Sequence, residues 1–320
     1  MTAKYRIHGG PMSLFTRKLE AAFLFYGADF EHAPPTPEIA ARADTHQIPI
    51  LVTPENWAIA DTTPLMELLD GRFPGRRMFP EGPLGVLVHV VEDYLDEWIA
   101  RVMVHWRWHY PDSADFAAQR IGEAGSGDPE IVKKWGPRAC RATGTESKHQ
   151  QKMAEDEYER LLATADSQLA DTRYLMGDRP TAVDCMFLGG LRAHTYNDPD
   201  PKKVVSKYKR VVAWCEDSAD RWDGNGELAP FPESTAFARH ILSEMPTTYQ
   251  PFILGAAAAA AAGQKAFEAE IYGETVSYLT RPYPDFSRGL VRDRIQRLTA
   301  AERREVHDWL THVELADCFA

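Results

Sequence analysis

The sequence predicts an α/β domain at the N-terminus followed by an all-α helical-bundle domain. Two observations indicate this fold class. Residues 3–75 alternate short apolar runs with Gly- and Pro-rich turns, in the order βαβαββα. After the Pro- and Gly-rich segment 73–85 the apolar spacing becomes almost wholly helical. With 320 residues, 44% of them hydrophobic, the chain is long enough to bury a core in each of two domains.

The first strand and helix follow from local patterns. A strand is predicted over Ala3–His8, and Gly9-Gly10-Pro11 ends it. Apolar residues at helical spacing predict a helix from about Ser13 to Tyr26. Ser13 therefore falls at a helix N-terminus, where free N–H groups and the helix dipole stabilise an anion.

The rest of the first domain is predicted from β-branched runs, prolines and turn residues. The elements are strands near 30–32, 48–53 and 57–60, a helical stretch near 38–43, and a helix that begins at Asp61-Thr62-Thr63-Pro64.

This order of elements, with these residues, resembles the thioredoxin-like N-terminal half of the glutathione S-transferase family, in a serine-type, bacterial-like form. The similarity continues at 175–184, which looks like the helix-capping segment of the family's all-α second domain. The resemblance implies a glutathione-binding domain over 1–78 and an all-α domain over 86–320, with an extension after about residue 233.

The resemblance also implies roles for single residues. Pro49 is expected to be cis, and the backbone of Ile48 to pair with the cysteinyl unit of glutathione. Asp61 and Thr62 fall where the family holds the γ-glutamyl end. Gln47 falls near the position that contacts the glycyl end.

Ser13 aligns with the serine or cysteine that serves the thiol in such proteins. A free thiol has a pKa near 8.5, and lowering it by about two units requires about 2.7 kcal/mol. A charge-assisted hydrogen bond and a helix N-terminus could supply that energy. Thr16, one turn further on, is the alternative donor, and Ser13 could also be a plain N-cap.

The cysteines exclude a self-contained thiol–disulfide cycle, because none occurs before Cys140. The four cysteines have no metal-like spacing and are predicted to be reduced thiols of a cytoplasmic protein. We expect no metal and, without a signal sequence or a long apolar run, no membrane association. The net charge of -11 disfavours nucleic acid as a partner. A homodimer is expected from the resemblance.

A long amphipathic helix is predicted from Val86 to His109. In the family the corresponding helix lines the pocket for the second substrate, a hydrophobic or aromatic electrophile. The candidate contacts on it are Tyr94, Trp98, Arg101, His105 and Arg107. Aromatic residues at this spacing are also typical of core or dimer packing, so that alternative stays open.

Further along the chain, residues 121–137 are predicted to form a loop, and 147–170 a helix. Thr181 and Asp184 form a capping box, as do Thr299 and Glu302 at the start of a helix that ends near 313. The extension is predicted to contain a helix over 252–272 and an irregular aromatic link over 278–286. It could cover the mouth of the pocket or brace the helical domain.

The sequence thus predicts a glutathione S-transferase-like enzyme whose cosubstrate is glutathione. Two alternatives remain. One is a glutathione-dependent isomerase, dehalogenase or ether-cleaving enzyme, which would use the same thiolate. The other is a binding or scaffold protein that kept the fold without catalysis.

Overall fold

The computed structural model describes residues 4–218 and 221–319, so Ala3 of the predicted first strand lies outside them. The N-terminal domain has one mixed sheet in the order β2-β1-β3-β4. β1 is parallel to β2 and antiparallel to β3, and β3 is antiparallel to β4. Its elements are β1 (Tyr5–His8), α1 (Leu14–Tyr26), β2 (Phe30–Ala33), α2 (Pro37–Arg42), β3 (Ile50–Val52), β4 (Ala58–Ala60) and α3 (Thr62–Arg72). The predicted βαβαββα order and the thioredoxin-like fold are confirmed.

α1 begins and ends as the sequence predicts. Ser13 is its N-cap, with extended backbone, and Gly27 closes it in the left-handed region at φ 66°. Leu19 and Phe23 are fully buried on the same helix. Gly189 in the helical domain lies against the backbone of Leu14 and Lys18, so close that a Cβ there would clash. The two domains therefore share one continuous core.

The second domain is mostly helical. Its helices are α4 (Gly82–Asp93), α5 (Ala100–Trp108), α6 (Pro111–Ile121), α7 (Pro129–Lys133), α8 (Trp135–Ala142), α9 (Lys148–Asp171), α10 (Ala182–Gly190), α11 (Pro199–Val205), α12 (Lys209–Ala213), α13 (Ala236–Glu244), α14 (Tyr249–Ala261), α15 (Pro282–Gln296), α16 (Ala300–His312) and α17 (Ala316–Phe319). A small α/β domain followed by a large helical domain is the architecture that the sequence predicts.

The predicted helix from 86 to 109 is interrupted once. Tyr94–Trp98 forms a π-helical turn between α4 and α5. A π-turn holds more residues than an α-turn, so the side chains after it point in other directions than a regular helix would give them. Both capping boxes are present, at Thr181 with Asp184 and at Thr299 with Glu302.

Three predictions for the second domain are wrong. Residues 121–137 are largely helical, with a π-turn at Gly122–Ser126 followed by α7 and the start of α8. The predicted helix 252–272 ends at Ala261 and gives way to a hairpin, β5 (Ala266–Ile271) and β6 (Glu274–Leu279), so this domain is not all-α. The alternation of Phe267, Ala269 and Ile271 with exposed residues is the period-two pattern of a half-buried strand.

The segment expected to be an irregular link, 278–286, instead contains the end of β6 and the first turn of α15. Pro282 at the first helical position starts that helix. The peptide bond before Pro49 is cis, as expected. None of the four cysteines forms a disulfide within the described residues, and all four are buried. Within 4–218 and 221–319 no helix has both the length and the apolarity to cross a bilayer.

Candidate active site

A cavity of about 930 Å³ lies between the two domains. The N-terminal domain contributes the start of α1, the segment before β3 and the start of α3. The helical domain contributes the π-turn and α5, and the extension contributes the start of α15. Elements distant in sequence therefore form one enclosed site.

The residues expected to bind glutathione meet on one side of this cavity. They are Gln47, Ile48, Pro49, Asp61 and Thr62. The backbone N–H and C=O of Ile48 form no hydrogen bond to any residue in the described part of the chain. A buried or half-buried backbone normally finds partners, so these groups are available to a ligand with an extended peptide backbone.

Asp61 has an unusual conformation for the residue before a helix. Its φ of 69° and ψ of 113° lie where non-glycine residues are rarely found. No capping hydrogen bond from its side chain to the first turn of α3 meets standard geometry within the described residues. Burial raises the pKa of its carboxyl, and the nearby ammonium of Lys18 partly offsets the rise. Residues with such rarely populated backbone angles occur often at functional sites.

Ser13 and Thr16, the two candidate thiol donors, differ in position. The Ser13 hydroxyl accepts the backbone N–H of Thr16 at 3.3 Å, and its own proton has no acceptor within the described residues. Thr16 is 1% exposed, and its Oγ1 has no hydrogen-bond partner. A Cβ built at Gly9 would lie 2.3 Å from that oxygen. Thr16 is thus packed behind the Gly9 backbone, whereas Leu14 and Phe15, next to Ser13, line the cavity.

A buried ion network lies directly beneath the site. The Lys18 ammonium is 2.5 Å from Glu92 and 2.6 Å from Asp96, and it donates to Thr63 Oγ1 at 2.9 Å. Burial alone would lower the pKa of Lys18, but Asp96 and Glu92 outweigh it and raise this pKa. Burial raises the pKa of Glu92 to about 8. The network joins α1, the start of α3 and the π-turn, so it fixes the two halves of the cavity relative to each other.

The other half of the cavity is built by residues that the sequence did not indicate. They are Asp96, Glu97, Ala100, Met103 and Val104 of the long helix, and Arg281, Pro282, Tyr283, Phe286, Ser287 and Leu290 of the extension. Tyr283 is 36% exposed and Phe286 50% exposed, unusual for such large apolar side chains. Of the two roles that the sequence allowed for the extension, covering the pocket or bracing the helical domain, the contribution of α15 to the cavity supports the first.

The structure does not bring the five expected second-substrate residues to this cavity. Four of them are buried in contacts on other faces of the long helix. Glu157 Oε1 accepts the Tyr94 hydroxyl at 2.8 Å and the indole N–H of Trp98 at 2.6 Å. Arg101 lies 3.5 Å from Glu157 Oε2 and stacks over the Trp98 ring at 4.4 Å. Because a polar group must find a partner when buried, these residues point into the core.

His105 belongs to the same interior. Its Nε2 lies 2.8 Å from Glu155 Oε1, and its Nδ1 lies 2.9 Å from Nδ1 of His109. Burial lowers the pKa of His105, with Glu155 offsetting part of the effect. Burial also lowers the pKa of His109 to about 4. Both rings are therefore neutral near pH 7 and serve as packed hydrogen-bonding groups.

Arg107 affects the site indirectly. It is 3% exposed and binds both carboxylate oxygens of Asp198, at 2.8 and 3.0 Å. The same guanidinium donates to the backbone carbonyl of Met12 at 2.9 Å. Since Met12 immediately precedes Ser13, Arg107 holds the loop that leads into α1. It positions the site without lining it.

Two signals in the sequence could have indicated the second half of the cavity. Arg281, Tyr283 and Phe286 form an aromatic and basic cluster within a few residues. Asp96 and Glu97 are adjacent carboxylates in a helix rich in apolar residues, where carboxylates are unusual unless they are paired or face a site, although Glu92 and Asp93 give the same signal. Neither signal shows that the two segments meet.

The fold and the interdomain cavity define the class: a thioredoxin-like domain packed on a helical domain, with the site at their junction. A family model described as "Glutathione S-transferase, C-terminal domain" matches residues 158–218, within the helical domain. This segment is thus similar to the C-terminal domain of glutathione S-transferases.

Solved structures with a similar shape include three bacterial proteins. A beta-etherase from Sphingobium sp. is 17% identical, with 70% of this chain and 97% of that chain covered and a TM-score of 0.48. A glutathione transferase family member from Pseudomonas fluorescens, crystallised with two glutathione bound, is 14% identical, with 75% and 93% covered and a TM-score of 0.46. A glutathione S-transferase from Rhodospirillum rubrum is 15% identical, with 68% and 90% covered and a TM-score of 0.46.

Proposed function

We propose that this protein is a glutathione transferase that binds glutathione in the half of the cavity formed by the N-terminal domain. The carrying observation is that one cavity contains the backbone of Ile48, which has no hydrogen bond within the described residues, the carboxyl group of Asp61 and the start of α1. The family match in the helical domain supports the same reading.

In this proposal each part of glutathione meets a matching group. The backbone of Ile48, next to Pro49, pairs with the cysteinyl unit. The carboxylate of Asp61 receives the γ-glutamyl ammonium, and the N-terminus of α3 at Thr62 receives the γ-glutamyl carboxylate. Gln47, which is exposed at the edge of the cavity, contacts the glycyl end. The thiol then lies at the N-terminus of α1.

Ser13 is the proposed donor to the thiolate. Its oxygen already accepts the Thr16 N–H, which polarises the hydroxyl and leaves its proton for an external acceptor. The thiol releases its proton to solvent, and the thiolate attacks an electrophilic carbon of the second substrate and forms a carbon–sulfur bond. In a substitution the leaving group departs with the bonding electron pair. In an addition the π electron pair of the attacked double bond moves to the neighbouring atom, which then takes a proton from solvent. Ser13 remains a hydrogen-bond donor throughout.

The first test is calorimetric titration of the purified protein with reduced glutathione at neutral pH. We expect saturable binding with one site per chain. Asp61→Asn should weaken binding about tenfold, because it removes the charge that pairs with the ammonium. Absence of binding up to several millimolar would overturn the proposal and favour a scaffold role or another thiol.

The second test separates the two hydroxyls. Ser13→Ala should raise the pKa of the thiol of bound glutathione by about one to two units, because the donor acts on the thiolate. The affinity of the variant for glutathione should stay within about tenfold of wild type. Thr16→Val is the matched control and should leave the thiol titration unchanged. Thiolate absorbance as a function of pH measures both. An unchanged titration in Ser13→Ala would exclude Ser13 as the donor.

The homodimer and the cytoplasmic location remain predictions from the resemblance. Sedimentation of the purified protein at micromolar concentration measures the first directly.

A further inference from the structure

We infer that the second substrate is an electrophile with an aromatic or similarly apolar body and a positively charged group, which binds beside Glu97. The inference rests on the proposed function, since it assigns the half of the cavity that glutathione leaves empty. The evidence for it is the chemistry of the residues that line this half of the cavity.

The apolar part of the ligand is indicated by the extension. Tyr283 and Phe286 of α15 face the cavity and are substantially exposed. Ala100 and Met103 lie on the helix that lines the same half. Aromatic side chains left accessible inside a concave site offer stacking and apolar burial to a flat ring.

The charged part is indicated by Glu97. Its side chain is only 11% exposed, yet its carboxylate accepts no hydrogen bond from the described residues. Its one ionic partner is Arg281, at 3.7 Å, which is too long for a hydrogen bond. A carboxylate that faces a cavity and has only one long ion pair can accept a further cationic partner, which a ligand would supply.

The surrounding charge favours a cation over an anion. Asp96 also faces the cavity, in addition to Asp61, which is assigned to the γ-glutamyl ammonium. Arg281 is the only Lys or Arg among the lining residues in the described chain. Lys18 neutralises part of this charge from behind, but it is committed to Glu92 and Asp96. Burial raises the pKa of Glu97 to about 8, although Arg281 lowers it, and Asp96 adds to the rise. A bound cation would favour the ionised form.

The test uses three matched ligands that share glutathione and a benzyl ring. They are S-benzylglutathione carrying a para-trimethylammonium, a para-tert-butyl or a para-carboxylate group. The first two have nearly the same shape and differ in charge. We expect the wild-type protein to bind the cationic conjugate about tenfold more tightly than the neutral one, with the anionic conjugate weakest. The preference should shrink as salt is added.

Glu97→Gln keeps the size of the side chain and removes its charge. We expect this variant to bind the neutral conjugate within about twofold of wild type and to lose most of the preference for the cation. Glu305→Gln, on α16 outside this cavity, is the matched control and should keep the preference. The wild-type comparison of three ligands tests the inference even if Glu97→Gln does not fold.

The two possible failures can be told apart. If glutathione and the neutral conjugate do not bind, the proposed function itself fails. If both bind but the cationic conjugate is no tighter than the neutral one, or the anionic conjugate is tightest, the inference about charge is overturned and the function stands.

Discussion

Polar residues play different roles on the two sides of the helix that runs from 82 to 108, the side that faces the cavity and the side that is buried in the core. Toward the core, Tyr94 and Trp98 donate to one carboxylate oxygen of Glu157, and Arg101 pairs with the other. Toward the cavity, Glu97 has a loose ion pair and no hydrogen bond. Glu157 Oε1 accepts two hydrogen bonds in the core, whereas Glu157 Oε2 has, within the described residues, only the 3.5 Å ion pair with Arg101. What distinguishes Glu97 is therefore that it faces a cavity that a ligand can enter.

Residue type alone therefore does not show which residues of such a helix lie in the core and which line the cavity. Aromatic and basic residues suggested a substrate pocket, yet they form the interior. The residues of this helix that do line the pocket are Asp96, Glu97, Ala100, Met103 and Val104, none of them aromatic or basic. The π-turn at Tyr94–Trp98 changes the direction of the side chains after it, so a regular helical wheel misassigns them.

The largest expected effect is on the buried side. Glu157→Ala should lower the free energy of unfolding by about 3–5 kcal/mol, because it leaves the Arg101 charge and two donors buried without a partner. Urea unfolding at pH 7 measures it. Glu157→Gln, which keeps one acceptor, should lower the free energy of unfolding by less. A loss below about 1 kcal/mol for the alanine variant would contradict the assignment of this face to the core.

The next effect concerns pH and the junction of the helix with the extension. Asp93 accepts the hydroxyls of Tyr249 and Ser287, and burial raises the pKa of its carboxyl to about 7, with Asp96 adding to the rise and Lys18 opposing it. The folded protein therefore keeps this proton up to about pH 7, whereas the unfolded chain loses it near pH 4. Stability from this group falls as the pH rises between those values.

Asp93→Asn removes the titration and keeps the shape. Relative to wild type, the unfolding free energy of the variant should increase by about 1–3 kcal/mol between pH 5 and pH 8. Urea unfolding of both proteins at several pH values gives the difference in unfolding free energy at each pH. A difference independent of pH would show that Asp93 does not titrate in this range.

The smallest effect tests the cavity side of the comparison. Phe286→Ala should weaken binding of S-hexylglutathione about five- to tenfold, since it removes apolar surface from the second-substrate half. Binding of glutathione itself should stay within about twofold. Ile131→Ala, at another exposed apolar residue, is the control and should change neither. Equal losses for both ligands would mean that the extension does not contact the second substrate.

Much of the N-terminal domain could be predicted because its signals are local. Ser13, Gly27 and the prolines mark where elements begin and end, and they act within a few residues. Residues 47–49 and 61–62 line one cavity, as the resemblance implied, although their contact with glutathione stays a prediction. The extension was harder to predict, because strand 266–271 closely follows an alanine-rich helix, with only a few residues between the two.

By itself the sequence determined the order of elements in the N-terminal domain, the change to a mostly helical second domain, the caps of α1 and α10, and a hydroxyl at the first helix start, because these depend on neighbours along the chain. Only the tertiary structure decided which face of the long helix lines the cavity, that Thr16 lies behind Gly9, and that α15 supplies a wall. Those outcomes depend on contacts between residues distant in sequence and on one π-turn, and no local pattern determines either.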